Sequence, residues 1–289
     1  MTRRIIIGFL SLISLQICIA LALSQSESDS LKTNGQEPDS TLVDSLMMEP
    51  VELKIRQRKV EVIQPQSVPF GVGEYFLFSI EYGPIKAGTA TLEIPKLELV
   101  EGFPCYQIHS LARSGKTFSL FFRVHDDVFS FMDTRKLFTR KFTKSLEEGK
   151  YRARQEINYD QQNHIATYHN GKQYELPPDV HDVLSAFYYT RCLDLEVGDE
   201  VEIETHADRK NYPLLVKALR RERVKVPAGE FDCLVLEPVL RSTGIFQQKG
   251  TLTVWLTDDK IKMPVLMKSK VFIGSINAKL RSYRLGVGN

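Results

Sequence analysis

What the 289 residues lack narrows the field first. Cysteine is scarce, four in all, and no two are spaced as CxxC, so neither a zinc ribbon nor dithiol redox chemistry is indicated. The six histidines, His109, His125, His164, His169, His181 and His206, include no HExxH or other recognised ligand spacing. No nucleophile elbow and no glycine-rich donor loop is present, so covalent acyl chemistry lacks its usual frame. A surplus of charge is missing too. Once Arg3 and Arg4 are set aside as part of a leader, the 38 Lys+Arg and 36 Asp+Glu come into balance. A neutral chain has no overall field to hold nucleic acid. The basic clusters Lys54-Ile55-Arg56-Gln57-Arg58-Lys59 and Arg220-Arg221-Glu222-Arg223 read as solvated faces.

What is present begins with an export signal. Arg3 and Arg4 precede an apolar run from Ile5 to Leu21, and small residues follow at signal-peptidase spacing, Ala20-Leu21-Ala22 or Ala22-Leu23-Ser24. The run is short for a membrane span, so residues 1–24 are read as a cleaved signal peptide with no transmembrane span after cleavage. Cys18 is not read as a lipidation site, because Leu15-Gln16-Ile17 puts no small residue directly before it. Residues 25–59 are polar, acidic and free of aromatics, ending in the basic cluster, and are expected to form a disordered tether. Val60-Glu61-Val62-Ile63 is a possible first edge strand, and residues 60–289 form the folded domain.

Within that domain the apolar period is two. Phe76, Phe78, Ile80 and Tyr82 share one face; Ala90, Leu92 and Ile94 alternate with Thr89, Thr91 and Glu93. Leu252, Val254 and Leu256 alternate with Thr253, Trp255 and Thr257, which places Trp255 off the main apolar face, over a helix or a rim. Ile276, Ala278 and Leu280 alternate with Asn277, Lys279 and Arg281. Such alternation marks half-buried antiparallel strands. Asn170-Gly171 is the strongest hairpin signal. One helix is expected after Pro177-Pro178, with Asp179 suited to the N-cap, Val180, Val183, Leu184, Phe187 and Tyr188 on one face, and Arg191 in the last turn. The fold class is therefore mainly β: a strongly curved antiparallel sheet or unclosed barrel of about a dozen strands with one covering helix. A membrane barrel is disfavoured by Lys and Arg on the strand faces of Lys262–Lys270 and Lys279–Arg284 and by the lack of a terminal aromatic.

An internal echo links Glu101-Gly102-Phe103-Pro104-Cys105 with Gly229-Glu230-Phe231-Asp232-Cys233; each precedes an arginine eight residues after its Cys and later a pair of aspartates, Asp126-Asp127 and Asp258-Asp259. It makes a Cys105–Cys233 bridge worth testing, though buried free thiols are the preferred reading. The aspartate pairs are read as strand-end turn caps. His125-Asp126-Asp127 is read as a hydrogen-bond cluster before a metal site. His181, Asp182 and Ser185 could meet on one helical turn as a hydrolase set, but nothing else supplies its parts. Phe76, Phe78, Phe118, Phe121, Phe122, Phe129, Phe131, Phe187 and Trp255 are candidates for a cavity lining or for ordinary core.

These residues also carry a resemblance. Gly73-Glu74 through Tyr82-Gly83 with Ala87-Gly88-Thr89-Ala90, the run from Asp182 to Arg191, and Pro227-Ala228-Gly229 with Trp255-Leu256-Thr257-Asp258-Asp259, Met263-Pro264-Val265 and Ile273-Gly274-Ser275-Ile276 resemble the bacterial family called domain of unknown function 3108. The resemblance implies export in Gram-negative bacteria and no assigned activity, with Asp182, Ser185, Tyr189, Arg191 and Asp258 as family-motif positions. The layout is similar to that of periplasmic lipoprotein carriers, which is fold-level analogy.

The reading is a non-enzymatic protein of the periplasm or cell envelope, with no catalytic residues, cofactor or metal and no nucleic-acid partner. It would hold a lipid-like ligand against Phe76, Phe78, Phe187, Tyr188 and Trp255 inside the curved sheet. The alternative is an envelope interaction module with a dry core and a protein partner at an edge strand. A hydrolase acting on an envelope polymer comes third.

Overall fold

The computed structural model describes residues 68–240, 252–270 and 274–287. The residues read as a signal peptide and a tether, Cys18 among them, and the strand expected at Val60–Ile63 lie outside the described residues. The strands are β1 (Tyr75–Tyr82), β2 (Ile85–Val100), β3 (Phe103–Ser114), β4 (Val124–Asp133), β5 (Thr139–Glu148), β6 (Tyr151–Asp160), β7 (Ile165–Tyr168), β8 (Gln173–Glu175), β9 (Glu200–Ala207), β10 (Lys210–Val226), β11 (Gly229–Leu240), β12 (Leu252–Thr257), β13 (Pro264–Lys270) and β14 (Ser275–Arg284). A four-residue helix, α1 (Lys116–Ser119), links β3 to β4, and α2 (Val183–Arg191) links β8 to β9.

Among the described residues fourteen strands form one antiparallel sheet, ordered β8-β7-β6-β5-β4-β3-β2-β1-β14-β13-β12-β11-β10-β9. Two meanders thus run outward from a central β1–β14 pair, in which Ser79 faces Lys279 and Ile80 faces Ala278. The echo falls at comparable places in the two meanders. Cys105 lies in β3 and Cys233 in β11, and each thiol donates to the carbonyl of the phenylalanine two residues before it. They do not pair: Cys105, Cys192 and Cys233 are free and buried, and burial is the first cause pushing each thiol up to about 12. Gly88 shows why one quoted motif needs glycine, since a Cβ there would lie 2.1 Å from the Arg113 carbonyl oxygen on β3.

The sheet does not close by backbone pairing between β8 and β9. Side chains bridge that seam instead. Tyr168 Oη meets His206 Nε2 at 2.9 Å, Tyr159 Oη donates to the His206 carbonyl at 3.1 Å, and Asn211 Nδ2 donates to the Glu175 carbonyl at 2.8 Å. The chain entering α2 lies along β9, where His181 and Thr205 form a parallel bridge.

Helix α2 runs inside the curl. Leu184, Tyr188 and Cys192 belong to the main core with Phe76, Phe78, Ile80 and Trp255, while Ala186, Leu193 and Leu195 join a second core with Ile203, Leu214, Leu234 and Leu236. A helix buried on opposite sides is a core element rather than a lid. Its N-cap is Asp182, not Asp179: Asp182 Oδ1 accepts from the Leu184 and Ser185 amides, and Asp179 sits in a turn at φ 52°. Trp255 also differs from expectation. Trp255 is buried in the main core and Val254 and Leu256 in the second, and Thr257 is buried as well, so β12 has no wet face there. Phe121 is exposed, Phe129 is stacked 4.2 Å from His109, and Phe131 is buried with Val100 and Cys105 in a small separate core, so none of the three joins the main core.

Candidate functional site

The interior of the curl holds two polar assemblies, one at each end of α2. At its start, Asp182 Oδ2 accepts from Ser130 Oγ at 2.5 Å and Thr139 Oγ1 at 2.8 Å, while Thr139 Oγ1 and Ser185 Oγ lie 2.5 Å apart. Ser130 stands on the inner face of β4 and Thr139 opens β5, so the helix start is pinned to two strands of the first meander. Burial raises the Asp182 carboxyl, and the donors from Ser130, Ser185, Thr139 and Leu184 offset only part of that rise. Gln161 adds donations to the Thr139 and Val180 carbonyls.

His181 is buried, its ring tilted 38° against Tyr189 with centroids 4.6 Å apart, and burial lowers it to about 3, so it is neutral at ordinary pH. Ser185 is sealed in the same layer, with its hydroxyl engaged by Thr139 and donating to the Asp182 carbonyl at 3.1 Å. Of the three residues of the hydrolase idea, Asp182 caps the helix, Ser185 bonds within that cap and His181 is packed away, where a serine nucleophile would need access to a substrate.

At the other end of α2, Arg191 is 0% and Glu74 1% exposed. Arg191 Nη1 donates to Glu74 Oε1 and Nη2 to Oε2, both at 2.8 Å, a fork-on-fork pair. Tyr188 Oη donates to the same Oε1 at 2.9 Å. The guanidinium is ringed by Phe70, Phe76 and Tyr188 at 5.3, 5.6 and 5.0 Å from their ring centres. Burial opposes the Arg191 charge, but Glu74 outweighs it and the pKa is raised; Tyr188 is raised by burial and then by Glu74.

Beyond this end of the helix a pocket of about 240 Å³ opens between α2, β10, β11 and the β12–β13 turn. Its apolar floor is Leu195, Leu234, Leu236 and Leu256, and its rim carries Glu196, Arg221, Asp258, Asp259, Lys260 and Lys262. Arg221 bridges Glu196 and Asp258, each at 2.7 Å. Asp259 caps the turn, accepting from the Ile261 and Lys262 amides.

The other paired aspartates are not turn caps. Asp126 projects inward from β4 beside Glu148 of β5, both buried, and Asp127 bonds His109 on the outer face. Burial and then Asp126 raise Glu148 to about 8, while burial raises Asp126 to about 6.

Of the aromatic residues expected around a ligand, Phe76, Phe78, Tyr188 and Trp255 do come together, in the main core, and Phe187 is half-buried against both cores. The family-motif residues do not form one cluster. Asp182 and Ser185 sit at the helix start, Arg191 at its end, Tyr189 on His181, and Asp258 on the pocket rim. Sequence reasoning missed Glu74, Ser130, Thr139, Glu196 and Arg221. Only Glu74 carried a signal: a single carboxylate directly ahead of an apolar strand, within a motif already singled out.

A family model described as "Protein of unknown function (DUF3108)" matches residues 77–281. No curated protein matches the sequence. Among solved structures, the β-barrel-like protein of domain of unknown function DUF1849 from Brucella abortus aligns with a TM-score of 0.51 at 9% identity, over 75% of this chain and 99% of that one. A "putative lipoprotein" from Parabacteroides distasonis aligns at a TM-score of 0.34 and 10% identity, over 75% and 99%. The first of these shows the fold, and nothing beyond the fold.

Proposed function

We propose that this chain, which belongs to the DUF3108 family of proteins of unknown function, is an exported, non-enzymatic binding module of the cell envelope whose partner is taken outside the curl. The observation that carries this reading is Arg191. Its paired guanidinium, with Phe70 and Tyr188, occupies the space beside Phe76 where an acyl chain would have to lie. A ligand entering there would have to displace a fully buried ion pair, which leaves an uncompensated charge. The interior is then scaffold. The edges of the sheet leave little room for strand addition, because His181 lies on β9 and Asn211 holds β8. The pocket past the end of α2 remains, with a leucine floor for an apolar anchor and a rim of both charge signs for orientation. That chemistry suits a polar chain segment with one apolar side chain better than a lipid.

Trp255 is the sole tryptophan and lies in the main core, so it reports on the interior without labelling. Brominated fatty acids should leave its fluorescence unquenched, and native mass spectrometry of the protein from its own envelope should show no bound lipid. A photo-crosslinker at Lys260 should give a discrete adduct in envelope extract that one at Gln162 does not. Quenching of Trp255 by brominated chains, or a stoichiometric lipid, would return the interior to the role of carrier.

A further inference from the structure

One connection of the sheet presents large apolar side chains to water. Between β3 and β4 the chain runs Lys116-Thr117-Phe118-Ser119-Leu120-Phe121-Phe122-Arg123, and the structure splits this run in two. Phe122 is buried and Phe118 packs against the main core, whereas Leu120 is 82% and Phe121 86% exposed. Fraying does not account for this. The Ser119 amide donates to Gly115 O, the Phe122 amide to Phe118 O, and the Val124 amide to Ser114 Oγ, each within 2.9 Å, while Ser114 and Ser119 hydroxyls meet at 2.7 Å. The loop is thus a braced prong with two large apolar side chains at its tip.

Its neighbours share the character. Gly115 N donates to Ala87 O and Gly149 N to Arg123 O, both at 2.8 Å, which places the β1–β2 and β5–β6 turns on either side. Those turns bring exposed Ile85 (51%) and Tyr151 (54%). They also bring exposed Lys86, Lys150 and Arg152, which join Lys116 and Arg123 of the prong itself. The carboxylates nearby are engaged or withdrawn. Glu147 lies 3.7–3.9 Å from Arg152 and Arg123, Glu81 pairs with Lys279, Asp208 pairs with Lys144, and Asp126 and Glu148 are buried. The surface around the tip is therefore basic, with a phenol at its margin.

An apolar tip ringed by cations and an amphipathic aromatic matches the boundary of a bilayer with anionic headgroups: hydrocarbon below, phosphate at the level of the cations, and an interface where a tyrosine rests. A protein groove would accept Leu120 and Phe121 equally well, but it would not call for Lys86 and Lys150, exposed cations with no ion pair among the described residues, on the two flanking turns, beside Arg123 and Arg152 that share the single carboxylate of Glu147. We infer that this end of the sheet is a docking surface for an anionic phospholipid bilayer, with Leu120 and Phe121 inserted and Lys86, Lys116, Arg123, Lys150 and Arg152 at the headgroups. The inference concerns a surface separate from the pocket past α2 and stands or falls independently of what that pocket binds.

The test uses the chain as its host processes it and phosphatidylcholine vesicles with or without phosphatidylglycerol. In a Phe121→Trp variant the new indole should shift to shorter wavelength on phosphatidylglycerol vesicles and be quenched by brominated lipid, whereas buried Trp255 of the parent should not respond. The shift should vanish in high salt and on phosphatidylcholine alone. Leu120→Asp with Phe121→Asp should lower partitioning about tenfold or more, given the area two such side chains bury, with the melting temperature unchanged. Lys116→Glu with Lys150→Glu should weaken it on anionic vesicles only. An introduced indole that stays in water on vesicles overturns the proposal, as does a double aspartate variant that partitions like the parent. An indole shielded only by a lipid-free envelope extract would also overturn it, in favour of a protein partner.

Discussion

Arg191 and Glu74 stand 117 residues apart in sequence and meet with no exposure to water. Taking both ions out of water is costly, and their bidentate geometry with the Tyr188 hydroxyl offsets that cost only while all the partners are present. Arg191→Met should therefore destabilise the domain by about 3–5 kcal/mol, because it leaves a bare carboxylate inside. Glu74→Met should cost a similar amount, whereas the double substitution should cost clearly less than the two added. Urea midpoints of the four proteins measure the coupling. A loss under about 1 kcal/mol for Arg191→Met would mean that water reaches Glu74 and that the interior is not sealed. Glu148 makes a second residue-scale prediction, in pH. Its folded pKa is raised from 4.5 to about 8, so the folded state holds the proton more tightly than the unfolded chain. The stability this lends is present below about pH 4.5 and is lost as pH rises through about 8. His181 runs the other way: burial lowers it to about 3, and its contribution is lost as pH falls from 6.5 towards 3. Comparing Glu148→Gln with the parent cancels the His181 effect. The variant should gain stability relative to the parent between about pH 5 and 8, seen as a growing difference in melting temperature. A pH-independent difference would mean that Glu148 ionises freely in the folded protein.

At the scale of the element, local chemistry was readable and its tertiary context was not. Phe76, Phe78 and Ile80 alternate in sequence because one face of β1 is buried, and the Asn170-Gly171 turn between β7 and β8 has the φ of 78° at Gly171 that its sequence implies. The helix was visible from its apolar spacing, yet its cap was placed three residues early. Both Asp179 and Asp182 have capping chemistry, and the choice is made by Ser130 and Thr139, which reach Asp182 from strands 52 and 43 residues away. Period two also misled at β12. Alternation tells which residues share a face and assumes that the opposite face is wet, but the main core takes Trp255 and the second core takes Val254 and Leu256, so neither face of this strand is wet. The seam was silent for the same reason. Tyr168, His206 and Asn211 are ordinary strand residues until the two edge strands are brought together. The functional surfaces fared likewise. Phe121 counted as one more core aromatic, because a run of Phe-Ser-Leu-Phe-Phe gives no sign of which residues the loop turns outward.

For the whole molecule, the sheet is built so that its middle pair, β1 and β14, comes from the two ends of the domain. The pairing extends past the strands, where the Val287 amide donates to the Val72 carbonyl at 3.0 Å. Gly286 lies so near Gly71 that a Cβ would sit 2.2 Å from its carbonyl oxygen. Contacts of this sequence separation form late and slowly, since most of the chain must be ordered before they repay the loop entropy. Until then β1 and β14 each present an unpaired edge, and without β14 the open edges are β1 and β13. A chain stopped before Ser275 would keep both edges and lose Ile276 and Leu280 from the main core, so it should show no cooperative unfolding. The opposite manipulation separates connectivity from pairing. Joining residue 287 to residue 72 through a short glycine linker, and opening the chain at the exposed Glu101-Gly102 turn, keeps every strand pair and makes β14–β1 a local hairpin. That permutant should fold faster than the parent, with a melting temperature within about 5 °C of it, equivalent to roughly 1–2 kcal/mol in a domain of this size. Slower folding would show that the two meanders must form in their natural order and that the terminal pair is more than the last contact to close.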